Sequence, residues 1–270
     1  MAGSPYLEPA VAAAYDRIAA PALFAAPARD LVALIGLPPG GMVLDVGTGT
    51  GVLAAAASHA VGPAGLVVGM DPSPEMLRTS RRRASNPVVV AARAPGLPFR
   101  EGLFDGVAAS FVVSHVEDDG AALVDMRRVC RGGGRVGITT WDGGPNPAGE
   151  VWRQVAAAFP GADRLPEAFR RIVPGEERFS HPQNVERALR DAGFEAIEVV
   201  HREYSIRLAV ADYLSMKEAS VEGTLLRRML DGASWNAFKR RVADAFRTEF
   251  GDTVAYVRGV HVGIGSKGGD

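Results

Sequence analysis

The sequence predicts an α/β protein built on parallel strands, and three observations carry the prediction. Val43-Leu44-Asp45-Val46 reads as a buried strand that stops in the turn Gly47-Thr48-Gly49-Thr50-Gly51 and passes at once into the Ala-rich, helix-forming run Val52 to Ala60. Gly65 to Asp71 reads as a second strand ending in an acid, about 20 residues after the loop, the interval at which a βαβ unit returns its next strand end beside the first. A helical pattern over Asp119 to Cys130, with Ala122, Leu123, Met126 and Val129 on one side, leads through Gly132-Gly133-Gly134 into the strand Arg135 to Trp141.

The elements follow in order. Two helices precede the loop, around Glu8 to Ala19 and Leu23 to Ile35, separated by Pro21 and ended by Gly36 and Pro38-Pro39-Gly40. The second carries Leu23, Leu31, Leu34 and Ile35 as an apolar face. The loop itself suits a nucleotide-class ligand. Glycine turns tightly at φ above zero and removes the Cβ atoms that would hold a ligand away, while the next helix offers unpaired N–H groups. A dinucleotide fingerprint requires glycine at positions 47, 49 and 52, and position 52 is Val52. Asp45 would repel a pyrophosphate but suits a ligand bearing an ammonium and a sulfonium, which favours S-adenosylmethionine.

After the second strand, Asp71 is placed to bond ribose hydroxyls, with Pro72 beside it. Ser73 caps the next helix, Pro74 suits its first position and Glu75 complements its dipole. Met76 points either towards an adenine or into the core. A third strand, Val88 to Ala92, is followed by Arg93-Ala94 and the turn Pro95 to Phe99. The fourth, Phe104 to Phe111, opens at Ser110-Phe111-Val112-Val113-Ser114-His115. Ser110 and Phe111, at a parallel strand's carboxyl end, should border the ligand crevice. His115 either takes a proton from an acceptor or bonds a neighbouring loop.

These segments together resemble motif I, the post-loop motif and motif III of the class I S-adenosylmethionine-dependent methyltransferases, most closely the ubiquinone/menaquinone-biosynthesis-like group that acts on small molecules. The resemblance implies a Rossmann-like sheet of seven strands, mostly parallel with the last antiparallel, flanked by helices. It implies that Gly47, Gly49 and Gly51 hold the amino-acid end of the cofactor and Asp71 the ribose, with Asp45 and Thr48 also among the cofactor-binding residues. A tyrosine of the leading helix often closes over the methionine end in that family, which makes Tyr15 either a lid residue or a half-buried anchor. Family members usually carry an acid where Arg93 stands, so the adenine contact there falls to the backbone of Arg93 and Ala94.

Beyond Trp141 the pattern is a loop-and-helix stretch to Phe179, and then a helix opened by the capping box Ser180-His181-Pro182-Gln183 and stopped at Gly193. Phe194 to Ile206 alternates as a strand, Ala209 to Phe250 is helical in three pieces, and Thr253 to Ile264 closes as a strand. Residues 1-270 are read as one methyltransferase domain, with 1-40 covering the cofactor and the insertions 142-180 and 208-252 forming an acceptor lid. Trp141, Trp152, Tyr213, Met216 and Met229 are its candidate pocket walls, or else core. The ends, Met1 to Ser4 and Ser266 to Asp270, read as disordered.

Composition narrows the classes further. At 270 residues, 47% hydrophobic and net charge -1, the chain reads as soluble and globular, and the short basic cluster Arg81-Arg82-Arg83 reads as a solvated helix face and not a nucleic-acid footprint. The single Cys130 fits a reducing compartment and reads as buried filler. Prolines and charges interrupt the apolar run from Ala10 to Leu37, so no membrane insertion is expected and the protein is placed in the cytoplasm as a monomer or homodimer. No His/Cys cluster has ligand spacing, so no metal is expected, with carboxylate-bound magnesium the alternative. The expected activity is in-line methyl transfer from S-adenosylmethionine to a small organic acceptor. An NAD-dependent oxidoreductase and a methyltransferase-fold scaffold without methyl transfer are the alternatives.

Overall fold

Strand side chains alternate between two buried layers, and this places helices on both faces of one sheet. Leu44, Val68, Val107 and Val136 enter one hydrophobic cluster, while their neighbours Val43, Val67 and Ala108 enter another on the opposite face. The computed structural model describes residues 8–83 and 88–269. Its strands are β1 Met42–Val46, β2 Leu66–Asp71, β3 Val88–Ala91, β4 Phe104–Ser110, β5 Cys130–Trp141, β6 Glu195–Ala209 and β7 Thr253–Ser266. Their order is β3-β2-β1-β4-β5-β7-β6, parallel from β3 to β5 and antiparallel at β7.

Connectivity reverses between β1 and β4, so their carboxyl ends open a crevice there. The helices α2 Ala25–Ile35 and α3 Val52–Val61 cover one face with Leu31, Ile35, Leu53 and Ala57. On the other face lie α5 Asp119–Val129 and α9 Pro182–Asp191, with Leu123, Met126, Val185 and Leu189.

The ribbon formed by β6 and β7 is longer than the sheet. β5 leaves β7 at the pair Trp141↔Val260, whereas β6 and β7 stay paired out to Ala209↔Thr253. The overrun projects past the carboxyl ends of the parallel strands, and the helices between its two strands, α10 Val210–Glu218, α11 Val221–Met229 and α12 Gly232–Phe250, sit at its tip. Segment 142–180 contributes α6 Pro147–Ala156, α7 Leu165–Ile172 and α8 Glu176–Phe179. Trp152 and Phe159 from that segment pack with Tyr213, Trp235, Phe238 and Phe246 from 208–252 in a hydrophobic core separate from those on the sheet.

Several expectations are corrected. The two leading helices are one continuous helical stretch, Pro9–Ile35, in which Pro21 sits inside a π-helical section, Tyr15–Phe24. The π section replaces the regular i→i−4 ladder, in which a proline's missing N–H and ring clash fall, with a wider i→i−5 turn. The capping box at Ser180 does not form. His181 is the N-cap without a side-chain bond, and Ser180 Oγ donates instead to Glu177 O at 2.7 Å. Met1 to Ser4 lie outside the described residues, but Ser266 ends β7 and Lys267 is buried, its Nζ donating to Cys130 O at 3.0 Å. Cys130 is buried, and burial pushes its thiol up to about 11.

Phe238 is fully buried with its ring 4.8 Å from Trp152 and 5.5 Å from Trp235. Phe238→Ala should cost about 3–5 kcal/mol in urea unfolding. A loss below about 1 kcal/mol would mean that the two insertions do not share a packed core.

Candidate active site

The loop after β1 takes its shape from backbone that favours glycine. Gly47 lies at φ +69°, and a Cβ there would stand 2.4 Å from Val112 Cγ2, so any side chain would push away the segment following β4. The loop is tied to the end of β2 by backbone and carboxylate. Thr48 N donates to Met70 O at 2.8 Å and Gly49 N to Asp71 Oδ2 at 3.0 Å, while Ser73 N donates to Asp71 Oδ1 at 2.8 Å. Burial raises the carboxyl of Asp71, and the two amide bonds oppose the shift. A carboxylate accepts more bonds than these two, and Asp71 lines the cavity, where further donors can reach it. Ser73 caps the following helix, α4 Pro74–Arg83, as expected, accepting from Met76 N at 3.3 Å.

Asp45, Thr48 and Gly51 are not on the cavity wall, contrary to expectation. Asp45 is buried beneath the loop, where its Oδ2 accepts from Thr48 Oγ1 at 2.7 Å. Burial pushes its carboxyl up to about 7, against the Thr48 and Ala54 hydrogen bonds, with a small further rise from Asp71. Gly51 instead permits close packing: a Cβ at this helix N-cap would stand 2.6 Å from Ser80 Oγ on α4.

A continuous cavity of about 1980 Å³ runs from this loop to the helices at the ribbon tip. Single-ligand pockets span roughly 300–1,000 Å³, so two molecules can lie side by side. Gly47, Gly49, Asp71, Pro72 and Met76 line one end, and Arg93 and Ala94 border it. Ser110 and Phe111 stand at the middle. Phe111 occupies the left-handed region, φ +56°, held by its N–H bonding Thr139 Oγ1 and Thr139 O, each at 3.1 Å. Such a conformation costs about 1–3 kcal/mol in a non-glycine residue and is kept where the surroundings over-determine it.

That backbone sets the ring of Phe111 4.3 Å from Trp141 and 5.1 Å from Phe24, on which Tyr15 stacks at 5.0 Å. In an α-helix of ~3.6 residues per turn, Tyr15 and Phe24 would point to opposite sides. The π-helical section brings them together. Arg83, expected to be a solvated charge, holds the same section down: its Nε donates to Thr50 O at 3.0 Å and its guanidinium pairs with Asp16.

The far end is polar. His115 lines it from a turn, Val113–His115, onto which segment 142–180 docks through Gly175 N donating to Ser114 O at 3.0 Å. The surrounding protein holds the imidazolium of His115 down to about 4, so the ring is neutral at physiological pH. Tyr213, Met216 and Trp141 line the cavity. Trp152 does not. It is fully buried in the core joining the insertions, and Met229 packs against the same core. The sequence reading missed Phe24, Glu176, Tyr256 and Arg258. Tyr256 and Arg258 share one face of β7 by the two-residue strand period, a signal present in the sequence that does not say which face is inward.

Comparison with known proteins agrees with this geometry. A methyltransferase-domain family model matches residues 44–138. The ubiquinone/menaquinone biosynthesis C-methyltransferase UbiE of Shewanella oneidensis is 32% identical over 63% of this chain and 72% of its own length. The enzyme of the same name from Burkholderia thailandensis is 35% identical over 47% of this chain, and the match spans about half of its length, 51%. Two solved structures share the fold: a methyltransferase-like protein of Bacillus halodurans (TM-score 0.55, 17% identity, 90% of this chain and 99% of that one) and the YcgJ protein of Bacillus subtilis (TM-score 0.58, 16% identity, 91% and 100%). The fold and the glycine-loop crevice are those of a class I S-adenosylmethionine-dependent methyltransferase. Within that class the chain belongs to the UbiE-like methyltransferase family, and its cofactor is S-adenosylmethionine.

Asp45 gives a pH signature with a definite sign. Its carboxyl rises from 3.8 to about 7 on folding, so between those values the folded chain keeps a proton that the unfolded chain has lost. Stability should therefore fall as pH rises from about 4 to about 7 and level off above that. Asp45→Asn, which still accepts from Thr48, should flatten this slope in denaturant titrations at stepped pH. An unchanged slope would show that Asp45 ionises normally.

Proposed function

We propose that this methyltransferase acts on a small organic acceptor held between the Phe24, Phe111 and Trp141 wall and the helices at the ribbon tip. The observation that carries the reading is the single cavity joining the glycine loop to the insertions, with Ser110 and Phe111 at the junction. The insertions 142–180 and 208–252 serve as the acceptor lid, and Pro9–Ile35 covers the cofactor.

The residues present fit S-adenosylmethionine. Gly49 lines the cavity with open space where a Cβ would point, which lets a ligand approach the backbone, and Asp71 retains acceptor capacity there. Gly47 and Gly49 would take the amino-acid end, Asp71 the ribose hydroxyls, and Met76 with the Arg93 and Ala94 backbone the adenine. Asp45 acts beneath them, shaping the loop through Thr48. The cofactor supplies a methyl group already activated for in-line transfer to a nucleophile. The protein's part is then to align the acceptor and exclude water, and the aromatic wall closed by Tyr15 does both. His115 is a weak base in its neutral form, suited to accepting a hydrogen bond from the acceptor.

The dinucleotide alternative finds no support, since Val52 stands at the third fingerprint position and the family uses a methyl donor. Among the described residues one helix, Pro9–Ile35, is long and apolar enough to cross a membrane. Its packing against the sheet and its place on the cavity favour a role as cover. The single buried Cys130 accords with a cytoplasmic setting.

Calorimetry with S-adenosylhomocysteine should give a defined binding isotherm, weakened about tenfold or more in Asp71→Ala. Folded protein that binds none of this ligand would sink the reading. In an NMR titration, the imidazole signal assigned by its loss in His115→Asn should stay still from about pH 5 to 8. A midpoint near 6.5 would mean a solvated ring.

A further inference from the structure

Among the charged side chains that line the cavity are Arg153 on α6, Glu176 on α8, Lys217 on α10, Glu222 on α11 and Arg258 on β7. Glu222 forms an ion pair with Lys217 and lies 3.6 Å from Arg153, so these three satisfy one another. Of these five, Arg258 and Glu176 are left over. Both line the cavity, and neither makes a side-chain hydrogen bond or ion pair with another described residue. The nearby carboxylate of Asp142 is already engaged, accepting from Gly144 N at 3.1 Å and meeting His201 Nε2 at 3.0 Å.

Arg258 is not loose. Its guanidinium carbon sits 4.8 Å from the centroid of Trp141, the ring that packs against Phe111 at the cofactor junction. A cation over an aromatic face is held in place while its fork of N–H donors stays available. Glu176 begins α8 directly after Gly175, the residue bonded to Ser114 beside His115. Burial raises its carboxyl, Arg258 opposes the shift, Glu222 adds to it and Lys217 opposes it, so both leftover groups act on one shared space.

We propose that the acceptor is a small carboxylate whose anionic end is taken by the Arg258 fork over Trp141 and which presents an O–H or N–H group to Glu176. The assignment rests on the methyltransferase reading of the cavity and names the chemistry of its second ligand. A planar carboxylate matches the guanidinium fork with two parallel N–H···O bonds, whereas a neutral amide of the same shape leaves a half-buried cation without its counter-charge. A phosphate dianion meets Glu176 and Glu222 in the same space and is repelled more strongly than a carboxylate.

The test is calorimetry on the full chain saturated with S-adenosylhomocysteine, using matched pairs: 4-hydroxybenzoate and 4-hydroxybenzamide, indole-3-acetate and indole-3-acetamide, hexanoate and hexanamide, with phenyl phosphate alongside. At least one carboxylate should bind about tenfold tighter than its amide. Arg258→Gln should erase that preference while leaving S-adenosylhomocysteine affinity unchanged, which also certifies the fold. Glu176→Gln should weaken 4-hydroxybenzoate and spare hexanoate, which has no protic group. The proposal is overturned if no carboxylate binds at millimolar concentration, if amides bind as tightly, if the preference survives Arg258→Gln, or if phenyl phosphate binds best. Absence of S-adenosylhomocysteine binding would overturn the methyltransferase reading itself, and the proposal with it.

Discussion

Hydrogen bonding between β6 and β7 continues past the last residue that β7 shares with β5, and the far half of the cavity depends on that overrun. A strand pair outside a sheet has few neighbours and is marginal unless something packs on it. Here the helices between the two strands supply that packing: Val254 of the ribbon is buried with Tyr213, Phe238 and Phe246. The arrangement is reciprocal. The ribbon carries the insertion over the crevice, and the insertion's core keeps the ribbon paired. Tyr256 and Arg258 face the cavity because they lie on this projecting section and not within the sheet.

Near the glycine loop, two buried carboxylates divide the work by environment. Asp45 lies below the loop, bonded to Thr48, and burial raises its proton affinity to the neutral range. Asp71 sits at the surface of the cavity and uses two backbone N–H groups to join the β1 and β2 loops. One carboxyl shapes the loop from beneath; the other links two loops and still faces the ligand space. In the sequence an acid near the first glycine reads as favouring a cationic ligand; Asp45 instead lies beneath the loop with its carboxyl raised by burial, and it offers no direct contact from the cavity wall.

At the junction, strain and packing act together. The left-handed backbone of Phe111 is held by Thr139 from the neighbouring strand, and the ring it aims links Trp141 of β5 to Phe24 of the leading helix. The leading helix and the ends of β4 and β5 thus meet through contiguous rings, with Arg258 on the last of them.

The order and type of the elements from the glycine loop to Trp141 were determined by the sequence itself. Strand hydrophobicity, glycine punctuation and helix periodicity are local properties, and each is written in consecutive residues. Asp71, Ser110 and Phe111 could be named for the same reason, since a strand's carboxyl end is a position in the sequence. What only the tertiary structure decided were relations between distant segments. Pro21 inside a continuous helix, Trp152 in a core instead of a cavity, and the pairing of Lys217 with Glu222 that leaves Arg258 and Glu176 facing the space between them all depend on which surfaces meet. Those choices are made by packing between segments far apart in the chain, where no local pattern records whether a side chain's partner is another residue or a ligand.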